Sequence, residues 1–290
     1  MKQSIELHKF VKDSRHGLKY AAILLSGIWA VDAQALQGFT SHDNGEVTSA
    51  EIACQIPSEL PDSELPDLQT VVPLQIQLVR QQQGDFIRFS NGIANTGLAP
   101  LQMRPEFPGA GTPGPQKAFQ QFVDSSGNVV CEQSVGEFAF HPAHNHWHIG
   151  DAALFEIRVG GPDGPIFGMT SIKTTFCMID WYTLDGNANT KERLFWDCAD
   201  GLQGISPGWV DQYHQATEGQ SLDITGAPEG VYYLVSTSNP AKRFIEANYD
   251  NNTAWVAFRL GRTSGNPKIT VVDNSPCATP ALCGEGAPNR

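Results

Sequence analysis

Turn signals limit what this chain can fold into more than any other feature. Its 290 residues include 28 Gly and 19 Pro. Clusters such as Gly161-Pro162-Asp163-Gly164, Asp185-Gly186 and Asn239-Pro240 interrupt it at short intervals. Between them lie short segments rich in β-branched and aromatic residues: 71–79, 86–89, 154–159, 231–237 and 253–260. Long helical periodicity is scarce, and no period of 20–50 residues repeats. The pattern predicts an all-β, sandwich-like single domain over 65–262 with little helix. Segments 104–137 and 178–212 read as long loops over one end, and loops of that length are usually functional. Residues 36–64 read as a polar linker or arm, and 263–290 as a Gly/Pro-rich, loosely packed tail pinned by a small cysteine loop.

Apolar residues make up 40% of the chain, enough to build a core, while charged residues at 17% argue against a coiled coil or a disordered chain. The net charge of −12 opposes binding to nucleic acid and favours cationic partners. The N-terminus reads as an address. Lys2, Lys9, Lys12, Arg15 and Lys19 precede the apolar stretch 21–31, and Ala33-Gln34-Ala35 follows as a small-residue cleavage pattern. A secretory signal over 1–35 predicts an extracellular or periplasmic protein. Cleavage after Ala35 would remove five basic and three acidic side chains, taking the net charge from −12 to −14. No apolar run is long enough to span a membrane once that signal is gone. Export makes the six cysteines disulfide candidates. They admit fifteen connectivities. Short separation favours Cys277–Cys283, with Cys177–Cys198 and Cys54–Cys131 following.

Four of the eight histidines fall within His141-Pro142-Ala143-His144-Asn145-His146-Trp147-His148. On an extended strand His144, His146 and His148 share one face. Their outer Cα atoms would lie ~13 Å apart, which imidazoles bonded at about 2 Å to one metal barely span. The strand must therefore bend, or one ligand must reach less squarely. His141, offset by three and followed by Pro142, is a candidate to support the ligands before it is one itself. An imidazole-only set suits copper, zinc or nickel and does not choose between them.

Further blocks extend the pattern. They are Leu65-Pro66-Asp67-Leu68, 88–97, Ile172-Lys173-Thr174-Thr175-Phe176-Cys177, 204–213, 221–225, 228–233, Ser238-Asn239-Pro240 and 246–252. In residues and order, from about 65 to 260, they resemble the catalytic domain of the lysyl oxidase family without scavenger-receptor modules. The cysteines are fewer than in the animal enzymes, and none lies beside the histidines or in the block around Tyr213. The resemblance implies copper at His144, His146 and His148. It also implies a lysine tyrosylquinone built from Lys173 and Tyr213. The reaction implied is dioxygen-dependent oxidation of primary amines to aldehydes, releasing ammonia and hydrogen peroxide.

The residue types suit that chemistry. Lys173 must be neutral to add to an oxidised tyrosine ring, and its apolar and β-branched flanks permit the burial that lowers an ammonium pKa. Asp211 is the candidate base, and Trp147 and Trp209 are candidates to shield the site from water. The resemblance further implies a structural calcium site from Glu246, Asn248, Asn251, Asn252, Asp67 and the carbonyl of Leu68, a hard-oxygen set. Asn251-Asn252-Thr253 is also a glycosylation sequon. Expected substrates are cationic primary amines: lysine-rich peptides, polyamines or small amines. Two rival readings are a copper- or zinc-binding module without oxidase activity and a three-histidine zinc hydrolase.

Overall fold

Alternation of apolar and polar residues builds most of the strands. In the segment Thr253–Gly261 the side chains of Ala254, Val256, Phe258 and Leu260 turn inward while Thr253 and Arg259 face solvent. The computed structural model describes residues 54, 60, 65–107, 114–168, 170, 175–199 and 201–288, all within one compact unit, 49–290. The expected signal segment and nearly all of the expected linker lie outside the described residues, as does Lys173.

Three antiparallel sheets make up the fold, in agreement with the all-β reading. The first orders β1 (Leu68–Gln81), β2 (Gly84–Asn95), β11 (Trp209–Tyr213) and β9 (Tyr182–Thr183), with β12 (Ser221–Asp223) also paired to β2. The second runs β10 (Gln203–Ile205), β3 (Leu101–Pro105), β4 (Gln116–Val123), β5 (Val129–His141), β6 (His146–Gly150) and β8 (Thr175–Phe176). The third runs β15 (Lys268–Asn274), β14 (Thr253–Gly261), β13 (Gly230–Ser238) and β7 (Ala153–Val159). Among the described residues the only helical pieces are three 310 turns. A single main core draws on all three sheets, with Ile87, Phe89 and Ile93 from the first, Phe138, Trp147 and Ile149 from the second, and Phe155, Leu234 and Phe258 from the third.

Two expectations are corrected. Much of 104–137 is sheet rather than loop, because β4 and β5 form a long hairpin across it. That hairpin was hard to read because β5 carries few apolar residues in clean alternation. Past residue 262 the chain is not merely a loose tail: β15 pairs along β14 from Gly261–Lys268 to Val256–Asn274, and Leu282 is buried beside Val71 and Val210. The three disulfides are Cys54–Cys131, Cys177–Cys198 and Cys277–Cys283, as expected.

Candidate metal centre and functional site

The histidine segment is a hairpin, which resolves the reach problem. Strands β5 and β6 pair His141 with His146, Phe140 with Trp147 and Ala139 with His148. Residues 142–145 form the connecting turn. The His144 and Asn145 N–H groups both donate to the His141 carbonyl, at 3.1 and 2.8 Å. Asn145 takes φ 56°, the left-handed conformation that asparagine tolerates better than most residues. The bend carries His144 back over the strand that holds His146 and His148.

One ring nitrogen from each of these three lies within 4.8 Å of the others. The Nε2 atoms of His146 and His148 are 3.0 Å apart. Ligands about 2 Å from a common ion sit up to about 4 Å apart, so a shift of about 1 Å suffices to close the set. The donor set therefore fits a metal of the copper or zinc type. His148 is buried, His146 half-buried and His144 exposed, which leaves one side of the cluster open. The ring of His141 stacks on His144 at 4.2 Å and on His148 at 5.1 Å. Thr175 Oγ1 lies 3.4 Å from His148 Nδ1, where it can steady that ring.

Strand β11 supplies the other half of the site. It pairs with β2, setting Asp211 opposite Ile93 and Tyr213 opposite Asn91. Gly208, at φ 76°, makes the turn into β11, and a side chain there would run into Lys191. The Tyr213 hydroxyl accepts from the Cys177 N–H at 2.6 Å and donates to the Cys177 carbonyl at 2.7 Å. Its ring meets Phe176 edge-on at 4.8 Å. Burial pushes the Tyr213 phenol well above its ordinary value. The Asp211 carboxylate adds to that rise, and the hydrogen bond with Cys177 opposes it.

Histidines and tyrosine open on one cavity of about 250 Å³, lined by His144, His146, His148, Asp211 and Tyr213 together with Ile179 and Trp181. Among the described residues, two larger clefts, of about 630 and 700 Å³, hold no comparable cluster of metal-ligating groups. The chemistry, rather than the volume, marks the smaller cavity as the site. Trp147 and Trp209 do not line it. Trp147 stands between two histidines that face the cavity, so strand alternation turns it into the core.

A second polar cluster gathers around Glu246. Its carboxylate accepts from Asn239 Nδ2 at 2.6 Å, Asn252 Nδ2 at 2.7 Å and the Leu68 N–H at 2.8 Å. Asn251 Nδ2 donates to both oxygens of Asp67, at 2.9 and 3.1 Å. Burial raises the Glu246 pKa, its amide partners oppose the rise, and the Asp67 charge adds to it. Asp67, Glu246, Asn251 and Asn252 are thus brought together. The Leu68 N–H donates to Glu246, while Asn248 is exposed and accepts from the Asp250 N–H. The Oδ1 atoms of Asn251 and Asn252 are buried with no hydrogen-bond partner among the described residues. Half a turn of either amide would present that oxygen beside the carboxylates, a donor set suited to calcium.

The family described as lysyl oxidase matches residues 118–266, just over half of the chain. The chain belongs to the lysyl oxidase family. Human lysyl oxidase homolog 1 is 28% identical over 113 residues, which is 39% of this chain and 19% of that protein. Protein-lysine 6-oxidase of Sus scrofa is 28% identical over 121 residues, 41% of this chain and 46% of the relative. The Gallus gallus protein-lysine 6-oxidase is 27% identical over 114 residues, covering 39% and 26%. The chain therefore spans less than half the length of these curated relatives. The family match contains His141, His144, His146, His148, Lys173, Asp211, Tyr213 and the 246–252 segment, but not Asp67 or Leu68.

Several supporting residues escaped the sequence reading. Buried Asp180 accepts from the N–H groups of Leu194, Phe195 and Ser206 and from the Ser206 hydroxyl, while burial raises its carboxyl pKa. Gln203 accepts from the Met178 N–H at 3.1 Å and donates to the Trp147 carbonyl at 2.6 Å. With the Cys177–Cys198 bond these contacts tie the 178–206 segment to the back of the histidine hairpin. Neither residue type carries a local signal for such a role. Ile179 and Trp181 did carry one: they alternate around Asp180, so both face the cavity while the carboxylate turns inward.

Proposed function

We propose that this chain is a secreted, copper-dependent amine oxidase of lysyl oxidase type, acting on cationic primary amines and dioxygen. The observation that carries the reading is the meeting of three imidazoles, Asp211 and Tyr213 in one cavity. His144, His146 and His148 would hold copper, with His141 packed behind them. When bound, copper with dioxygen supplies the oxidation that turns a tyrosine and a lysine into lysine tyrosylquinone, and that quinone supplies the electron sink for amine oxidation.

Tyr213 and Lys173 are the pair assigned to that group. The backbone of Cys177 holds the Tyr213 oxygen from both sides, which fixes the ring against β8. A tyrosine phenol is protonated at neutral pH, and burial raises the Tyr213 pKa further, so its proton must leave Oη as the ring is oxidised. Thr175, two residues after Lys173, already touches His148. That closeness in sequence supports Lys173 as the amine that joins the ring. Asp211 is the base that takes the α-proton of the bound substrate amine. Ile179 and Trp181 give the cavity an apolar wall that suits an alkyl chain. Calcium at Asp67, Glu246, Asn251 and Asn252 would clamp the start of β1 to the turn before β14.

Hydrogen peroxide release from a primary amine by copper-loaded protein tests the reading, and mass spectrometry of a Lys173–Tyr213 crosslink tests the cofactor directly. Metal retention with neither product would favour the binding module. Ester or amide turnover indifferent to Tyr213 would favour the zinc hydrolase.

A further inference from the structure

The third sheet ends in two edges that the fold treats differently. Outside β7 the chain returns on itself: the Val159 N–H donates to the Pro165 carbonyl at 3.0 Å, and the Phe167 N–H to the Ile157 carbonyl at 2.7 Å. Outside β15 no strand pairs among the described residues. That strand is exposed along nearly its whole length, with Val271 and Val272 51% and 47% exposed. An open edge with β-branched residues is a template for another strand.

We propose that β15 is a homodimer interface, at which the β15 of a second copy pairs antiparallel about a two-fold axis. The charge pattern selects a second copy. Lys268 begins the strand and Asp273 lies near its end, both exposed, and neither has an ion-pair partner among the described residues. A two-fold axis lays the Lys268 end of each copy beside the Asp273 end of the other. Two opposite-charge pairs then flank a centre of Ile269, Val271 and Val272. Parallel pairing would instead set lysine beside lysine and aspartate beside aspartate. The register shift between the Ala257 and Phe258 pairings leaves Val272 as an extra residue, and such a bulge limits how far pairing extends. A closed pair is therefore favoured over an open fibre. With net charge −12 on each copy and a single strand in contact, association is weak and concentration-dependent. No residue lining the histidine cavity belongs to this sheet, so both cavities stay open in the dimer.

Sedimentation velocity of the whole protein from about 1 to about 100 μM tests the proposal. The wild type should shift from monomer to dimer across that range, and amide exchange over 268–274 should slow as it does. Asp273→Lys should weaken association roughly tenfold or more, since two attractive pairs become repulsive. Lys268→Asp combined with Asp273→Lys should restore it, which separates a lost interface from a misfolded variant. A wild type that stays monomeric throughout would overturn the proposal. So would association unchanged by Asp273→Lys, or a double variant as weak as the single one.

Discussion

At the scale of single residues, the hairpin sets His141 apart from the other three histidines. His144, His146 and His148 aim nitrogens at one point, whereas His141 offers the face of its ring. Replacing any of the three by alanine should abolish tight copper binding, because an imidazole bond is lost and the geometry opens. His141→Ala should cost only about 10–100-fold in affinity, as expected for a residue that steadies a ligand. Calorimetry that ranked His141 above His146 would reverse the assignment. Tyr213→Phe tests the other half of the cavity. It should end peroxide release while the protein still folds and binds copper. Because it strips both partners from the Cys177 backbone, it should also lower stability by about 1–3 kcal/mol in denaturant titration. Peroxide at the wild-type rate from this variant would sink the quinone mechanism.

At the scale of elements, ion pairs on one carboxylate tie a hairpin partner and a sequence-distant segment together. Asp85 on β2 receives Arg80 from β1 at 3.1 Å and Arg262, just after β14, at 2.6 Å. The Arg262 hydrogen bond holds the Asp85 carboxyl below its ordinary value. Burial opposes this, and Arg80 reinforces it. A carboxyl with a depressed folded-state pKa contributes stability above its unfolded value of ~3.9, and loses that contribution as pH falls through the folded value. Asp85→Asn should therefore lower Tm by about 2–6 °C at pH 7 and by progressively less at acid pH. A Tm difference that stayed constant down to about pH 2 would mean the carboxylate charge is not what holds the strands. Glu246 and Asp180 carry the opposite sign. Burial raises both, so their contribution is fullest at acid pH and declines as pH rises through their folded values.

For the whole molecule, the proposed function predicts that charge and cavity divide the work of substrate choice. A net charge of −12 draws cations toward the surface, and this steering is screened over ~10 Å at 0.1 M salt. Chemistry inside a cavity walled by Ile179 and Trp181 feels salt far less. For a polycationic peptide, kcat/KM should fall several-fold from low to moderate salt while kcat changes little. A small monoamine should show a shallower fall. Paired steady-state kinetics across a salt series would read both slopes, and equal slopes would leave pocket shape alone to explain specificity.

Local chemistry was legible before any coordinates. Alternation and turn residues marked the strands at 71–79, 231–237 and 253–260, because a pleated, half-buried strand writes its two faces into neighbouring positions. The histidine spacing predicts a metal set, and its mismatch with a straight strand calls for either a bend or a less square ligand. Short loop closure singled out Cys277–Cys283. Tertiary structure alone decided the rest. The bend is a four-residue turn with Asn145 left-handed, a choice made by β5–β6 pairing. Tyr213 shares a cavity with the histidines through β11–β2 pairing and the hold of Cys177, 36 residues earlier, on its hydroxyl. Trp181 rather than Trp147 or Trp209 faces the cavity, and Asp180 became a hub through partners 14 to 26 residues away. The segment after 262 joined a sheet because β14 offered it an open edge. These outcomes rest on which distant surfaces meet and which polar groups are left needing partners. Side-chain identity within a short window carries no record of either.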